Sequence, residues 1–103
     1  MYKIAFFVPL EHVQKVKMAM FEAGAGRIGN YDCCSFETNG VGQFRPLEGS
    51  NAFIGEVDKI ETVEELKVEM VCADKVVHSA IKALKSSHPY ETPAYDVWKV
   101  EQF

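Results

Sequence analysis

The sequence predicts an α+β domain of the ferredoxin-like plan, in which two strand–helix–strand units share one sheet and both helices cover one face. Three observations carry this. The chain opens on a period-two apolar run that gives way to a period of three to four. The same succession returns about sixty residues later, near Val68 to Pro89. Between the two units lie all seven glycines, from Gly24 to Gly55, so the middle third is rich in loops while both ends are regular.

In the first unit, Tyr2, Ile4, Phe6 and Val8 alternate with Lys3, Ala5 and Phe7, the pattern of a strand. Pro9 ends it. Val13, Val16, Met20 and Ala23 then recur at helical steps, so a helix is expected from about residue 10 to 23, closed by Gly24. In the middle, YDCCSF (Tyr31 to Phe36) and QFRPL (Gln43 to Leu47) are expected to pair as a hairpin around TNGVG, because Asn39-Gly40 is a strong turn signal. Leu66, Val68 and Met70 alternate with Lys67, Glu69 and Val71 as a further strand, which IETVEEL extends through a bulge or leaves as a short turn. Asp74 is the expected N-cap of a second helix with the stripe Val76, Val77, Ala80, Ile81 and Leu84. His88-Pro89 stops that helix, because the residue before proline is forced out of helical geometry. AYDVWKV (Ala94 to Val100) closes the chain as a strand.

With 103 residues, 48% hydrophobic and 12% aromatic, the chain is expected to form one domain over residues 1–103. A net charge of -4 opposes general nucleic-acid binding, which needs a surplus of Lys and Arg on phosphate. The longest apolar run, Ile4 to Leu10, is far short of the ~20 residues of a membrane-spanning helix. EHVQKVK interrupts any signal-peptide core, and three cysteines, two of them adjacent, make a poor disulfide framework. A cytoplasmic location, no membrane and no nucleic-acid partner are therefore expected. Phe7, Val71, Tyr95 and Val97 fall on strand faces the helices are not expected to cover, which predicts self-association.

Three segments carry the candidate chemistry. GAGRIG (Gly24 to Gly29) has the spacing of a dinucleotide loop, but it follows a helix rather than opening one, so it reads as a helix stop. TNGVGQFRPLEGSNAFIG places Gly40, Gly42, Phe44 and Arg45 together, where backbone amides beside Arg45 would suit an anion or small ligand. The plainer reading is a hairpin with ordinary core aromatics. HPYETPAYDV holds His88, Tyr90 and Glu91 on a proline-stiffened connection. There His88 and Glu91 form a possible metal pair or acid–base pair, against the alternative that His88 caps the last carbonyls of the helix.

GRIGNYDCCSF, TNGVGQFRPLEGSNAFIG and HPYETPAYDV, in that order, resemble the YqfO-type domain inserted in the Nif-three-like proteins, known as GTP cyclohydrolase I type II homologues. The resemblance covers most of the chain. It implies a CutA/PII-like version of the ferredoxin-like fold with a glycine-rich hairpin insertion, and association, most often as trimers, through the sheets. It carries over Gly40, Gly42, Phe44, Pro46, Gly49 and Gly55 in the loop, and His88, Pro89, Tyr90 and Glu91 in the closing motif. The family's two-metal site lies in the flanking domains, and its ligands have no counterpart here.

The expected function is a non-enzymatic oligomeric module that binds a small ligand or a protein partner. The expected ligand site is Gly40, Gly42, Phe44, Arg45, His88, Tyr90 and Glu91, with no catalytic residues. One alternative is a divalent metal-ion-binding protein of CutA-like type, with His88 and Glu91 as ligands and the metal as sole cofactor. The other is a small hydrolase.

Overall fold

A computed structural model describes all 103 residues. Strand β1 (Tyr2–Pro9) leads through a short 3-10 turn, Leu10–His12, into helix α1 (Val13–Glu22). Strands β2 (Phe36–Phe44) and β3 (Glu61–Cys72) follow, then a 3-10 turn (Asp74–Val76), helix α2 (Val77–Ser87) and strand β4 (Tyr95–Lys99). The strands lie in the order β2-β3-β1-β4, with every neighbouring pair antiparallel. This is the ferredoxin-like α+β fold, as the two repeated units predict.

Ile4, Phe6 and Val8 of β1 share one face with Val68, Met70 and Cys72 of β3. Val13, Val16 and Met20 of α1 and Val77, Ala80 and Leu84 of α2 close over them to make the core. Phe6, Val16 and Leu84 are fully buried, each contributing about 1.5–3 kcal/mol of hydrophobic stabilisation.

Helix α1 ends in a Schellman motif: Ala25 N–H donates to Met20 C=O at 3.1 Å and Gly24 N–H to Phe21 C=O at 3.0 Å. Gly24, at φ +107°, supplies the left-handed residue, so the GAGRIG string acts as a helix stop. Asp74 does not cap the second helix. Ala73 precedes the turn instead, and the Asp74 carboxylate takes the N-terminal ammonium and, at 3.1 Å, Lys99 Nζ. Those two cations hold its carboxyl below the usual range. Val100 N–H donates to Met1 C=O at 3.1 Å.

The expected hairpin around Asn39-Gly40 does not form. Strand β2 runs straight through both residues, pairing in unbroken register with β3 from Phe36 opposite Glu69 to Phe44 opposite Glu61. A ladder of nine pairs outweighs the local turn preference of two residues. Tyr31 to Ser35 lies outside β2, with one isolated bridge between Ile28 and Tyr31, and β3 takes in Glu61 to Leu66 without a bulge. Of the expected second half of the hairpin, Gln43 and Phe44 end β2, and Arg45 to Leu47 begin the β2–β3 connection at positions 45–60.

The register also corrects the face assignment. Tyr95 pairs with Phe6 and Val97 with Ile4, so both lie on the helix side of the sheet. The open face carries Lys3, Ala5 and Phe7 of β1, Glu65, Lys67, Glu69 and Val71 of β3, and Phe36 of β2. It is mixed rather than apolar, with Lys3 and Glu69 3.7 Å apart across the strands.

Candidate functional site

Glu65 organises one end of the open face. It sits in β3 between Pro9 of β1 and Gly40 of β2, and it is 9% exposed. A buried carboxylate needs donors, and the closing loop after α2 supplies one: Tyr90 O–H donates to Glu65 Oε2 at 2.9 Å. Burial, followed by this contact with a carboxylate, pushes the Tyr90 phenol far above its ordinary pKa, so it remains a donor.

Gly42 makes room for the other oxygen. A Cβ at position 42 would stand 2.0 Å from Glu65 Oε1, so a side chain there would displace the carboxylate. A Cβ at Gly40 would meet nothing within 4 Å, and space does not require glycine there.

Tyr90 is held in place from behind by His88. The ring Nε2–H donates to Phe7 C=O at 2.7 Å while Nδ1 accepts Tyr90 N–H at 3.1 Å, an arrangement that defines the neutral tautomer. His88 is 6% exposed, and burial lowers its pKa despite the carbonyl partner. The two rings lie 4.9 Å apart.

The β2–β3 connection folds over this end of the sheet. Ser50 N–H donates to Leu47 C=O at 3.0 Å and Asp58 N–H to Pro46 C=O at 2.7 Å, giving the segment its own turns. Gly49 and Gly55, at φ +92° and +95°, serve the left-handed positions. Phe53 reaches Tyr90 at 6.3 Å between ring centres and meets His12 edge-on at 5.5 Å, while Phe44 lies 6.1 Å from Tyr90. Asn51 N–H donates to Glu91 Oε2 at 3.1 Å and joins the two loops.

Sheet and loops enclose a cleft of about 600 Å³. Phe7, Phe44, Phe53, Ile54 and Tyr90 give it apolar walls, and Glu65, Lys67 and Glu91 are its ionisable residues. Of the seven candidates read from sequence, Gly40, Gly42, Phe44, Tyr90 and Glu91 line this cleft. Arg45 is exposed and does not line it.

His88 lies beneath the lining, with both ring nitrogens spent inside the protein. Of the expected His88–Glu91 pair, His88 has both ring nitrogens on backbone partners and Glu91 Oε2 accepts from Asn51 N–H. No three His, Cys, Asp or Glu residues stand close enough together to hold a metal ion.

Sequence reading missed Glu65 and Lys67, and it noted Phe7 on the open face and Phe53 in the glycine-rich stretch without assigning either to the site. One signal for Glu65 was present. Adjacent Glu64 and Glu65 on a strand must point to opposite faces, so the acidic run cannot all belong to one solvated face.

The order of strands and the covering of one face by two helices define a CutA/PII-like domain. The divalent cation tolerance protein CutA of Archaeoglobus fulgidus superposes with a TM-score of 0.70 over 100% of this chain and 87% of its own, at 20% identity, a likeness of fold. More particularly, the chain matches one segment of the Nif-three-like proteins in both sequence and structure. It is 46% identical over 100 residues to a GTP cyclohydrolase 1 type 2 homolog of Bacillus subtilis, covering 97% of this chain and 27% of the relative. Against the homolog of Mycobacterium leprae it is 44% identical over 96 residues, 93% of this chain and 25% of the relative. The crystal structure of a Bacillus cereus protein related to NIF3 matches with a TM-score of 0.84 and 39% identity, over 98% of this chain and 26% of that one. The chain thus spans about a quarter of the length of the curated relatives it matches. No family model matches the chain.

Proposed function

We propose that the chain is a non-enzymatic, self-associating module that binds a small ligand in the cleft between the open sheet face and its two covering loops. The observation that carries this reading is a convergence. Two segments about forty residues apart meet over a nearly buried carboxylate, leaving an apolar-walled cleft of about 600 Å³, a volume in the usual range for small-molecule sites. Five residues singled out for their chemistry line it: Gly40, Gly42, Phe44, Tyr90 and Glu91.

The relatives' name describes proteins about four times as long, and a cyclohydrolase reaction is not transferred to this segment. The His88 imidazole beneath the cleft is committed to internal hydrogen bonds. Self-association, with a trimer favoured, rests on the likeness to CutA-type folds and on exposed Phe36 and Val41 along β2. A cytoplasmic location agrees with three free cysteines and with the lack of any helix long and apolar enough to cross a membrane.

The test is an amide-resolved NMR titration with a library of small polar aromatics. Ligands that bind are expected to shift Gly40, Gly42 and Tyr90 together, and Gly42→Val is expected to abolish those shifts. Binding that leaves these three amides unmoved would place the site elsewhere.

A further inference from the structure

We infer that the cleft takes a small organic cation, a protonated amine or amidinium carried on a flat apolar body, with its N–H donated to Glu65 Oε1. This rests on the cleft being a binding site, as proposed above, and adds the class of ligand.

Glu65 is nine-tenths buried, yet only one of its oxygens has a protein donor: Tyr90 O–H is on Oε2, and Oε1 receives no hydrogen bond. No Lys, Arg or His nitrogen lies within 4 Å of either oxygen, because none of the chain's ion pairs involves Glu65. Oε1 is not sealed in the core, since no buried side-chain oxygen lacks a partner, so it is open to a ligand N–H, and a charged donor binds a carboxylate more strongly than a neutral one.

Three further features select a cation over a neutral donor. The ionisable residues lining the cleft are Glu65, Glu91 and Lys67, so their formal charges favour a positive guest by one unit. Phe44, Phe53 and Tyr90, with centres 6.1 and 6.3 Å apart, present ring faces and edges around the same space, and aromatic faces attract cations. Gly42 lets Oε1 occupy space that a Cβ would fill, and this keeps the carboxylate beside the cleft that both residues line. Lys67, two residues along the same strand face, opposes the guest and sets a limit on affinity.

The experiment titrates the unaltered chain with benzamidinium, benzamide and benzoate, three flat molecules of nearly equal size that differ in charge, and follows the amides of Gly40, Gly42 and Tyr90. Benzamidinium is expected to bind at least about tenfold more tightly than benzamide, the ratio a charge-assisted hydrogen bond supplies. Benzoate is expected to bind more weakly than either. Glu65→Gln keeps an acceptor for Tyr90 and is expected to bring the cation-to-neutral ratio close to one. Lys67→Met is expected to raise benzamidinium affinity severalfold, and it decides the matter independently of how the Glu65 variant folds.

Equal or tighter binding of benzamide or benzoate, with shifts at the same three amides, would overturn the cationic class and leave the binding site standing. A preference unchanged in Glu65→Gln would also overturn it. If none of the three molecules moves those amides, both the class and the site are overturned.

Discussion

Gly42 illustrates how much a missing side chain decides. Its flat edge position lets Glu65 lie back across β2, and any Cβ there competes with the carboxylate. Gly42→Val is expected to lower stability in urea by about 1–3 kcal/mol, as overpacked sites do, and a neutral result would show that Glu65 has another place to go. Tyr90→Phe removes the single donor on Oε2, and a loss of about 1–3 kcal/mol is expected. His88 adds a pH dependence. Its folded pKa is lowered by burial, so the unfolded chain takes up the proton first as pH falls. Its contribution is therefore complete above the ordinary value of 6.5 and declines as the pH drops from there toward the lower folded value. Urea unfolding at pH 8, 6.5 and 5 should show a steeper loss in the unaltered chain than in His88→Gln, and parallel slopes would contradict this. Neither the exposure of His88 nor its tautomer was legible in the sequence. Both follow from Phe7 C=O, eighty-one positions away, a contact that no local pattern encodes.

The elements themselves were mostly legible, and where they were not the reason is one of range. Strands β1 and β3 and both helices announced themselves because each buries one regular face, and periodicity records that burial directly. Strand β2 buries little. Its pairing is decided by β3 rather than by its own residues, so Asn39-Gly40 signalled a turn that the ladder overrode. The faces of β4 were misassigned for a related cause: register with β1 sets them, and a five-residue strand with exposed Val97 and Trp98 carries too weak an alternation to reveal it. These differences in burial predict unequal sensitivity. Leu84→Ala, in the fully buried stripe of α2, is expected to cost about 2–5 kcal/mol. Val41→Ala, on the exposed edge strand, is expected to stay within about 0.5 kcal/mol when measured by the same denaturation. A large loss at Val41 at protein concentrations that favour assembly, absent on dilution, would locate a subunit contact on that edge.

At the scale of the whole molecule, the shape is uneven. The chain measures 46 × 24 × 24 Å with a radius of gyration of 14.5 Å, against about 13 Å for an average domain of this size. The two helices span less than the sheet, so the far ends of β2 and β3, with the loop that folds back over them, project as an arm. Arms of this kind gain from a second surface. Small-angle scattering is expected to give a radius well above 14.5 Å at micromolar concentration, and native mass spectrometry a closed oligomer. A monomer by both methods would remove self-association from the proposal while leaving the cleft untouched.

The hydrogen bond between Val100 and Met1 sets the start of β1 and the end of β4 side by side at one end of the sheet. A polypeptide with neighbouring ends behaves like a plug with two adjacent pins. It can be set into a surface loop of another protein with little separation of the loop's own ends, or closed on itself and reopened at an exposed turn such as the one near Gly49. A circular permutant joined from Phe103 to Met1 by a few glycines and serines should therefore keep the fold, and its amide spectrum should overlay that of the parent everywhere except at the new junction and the new ends.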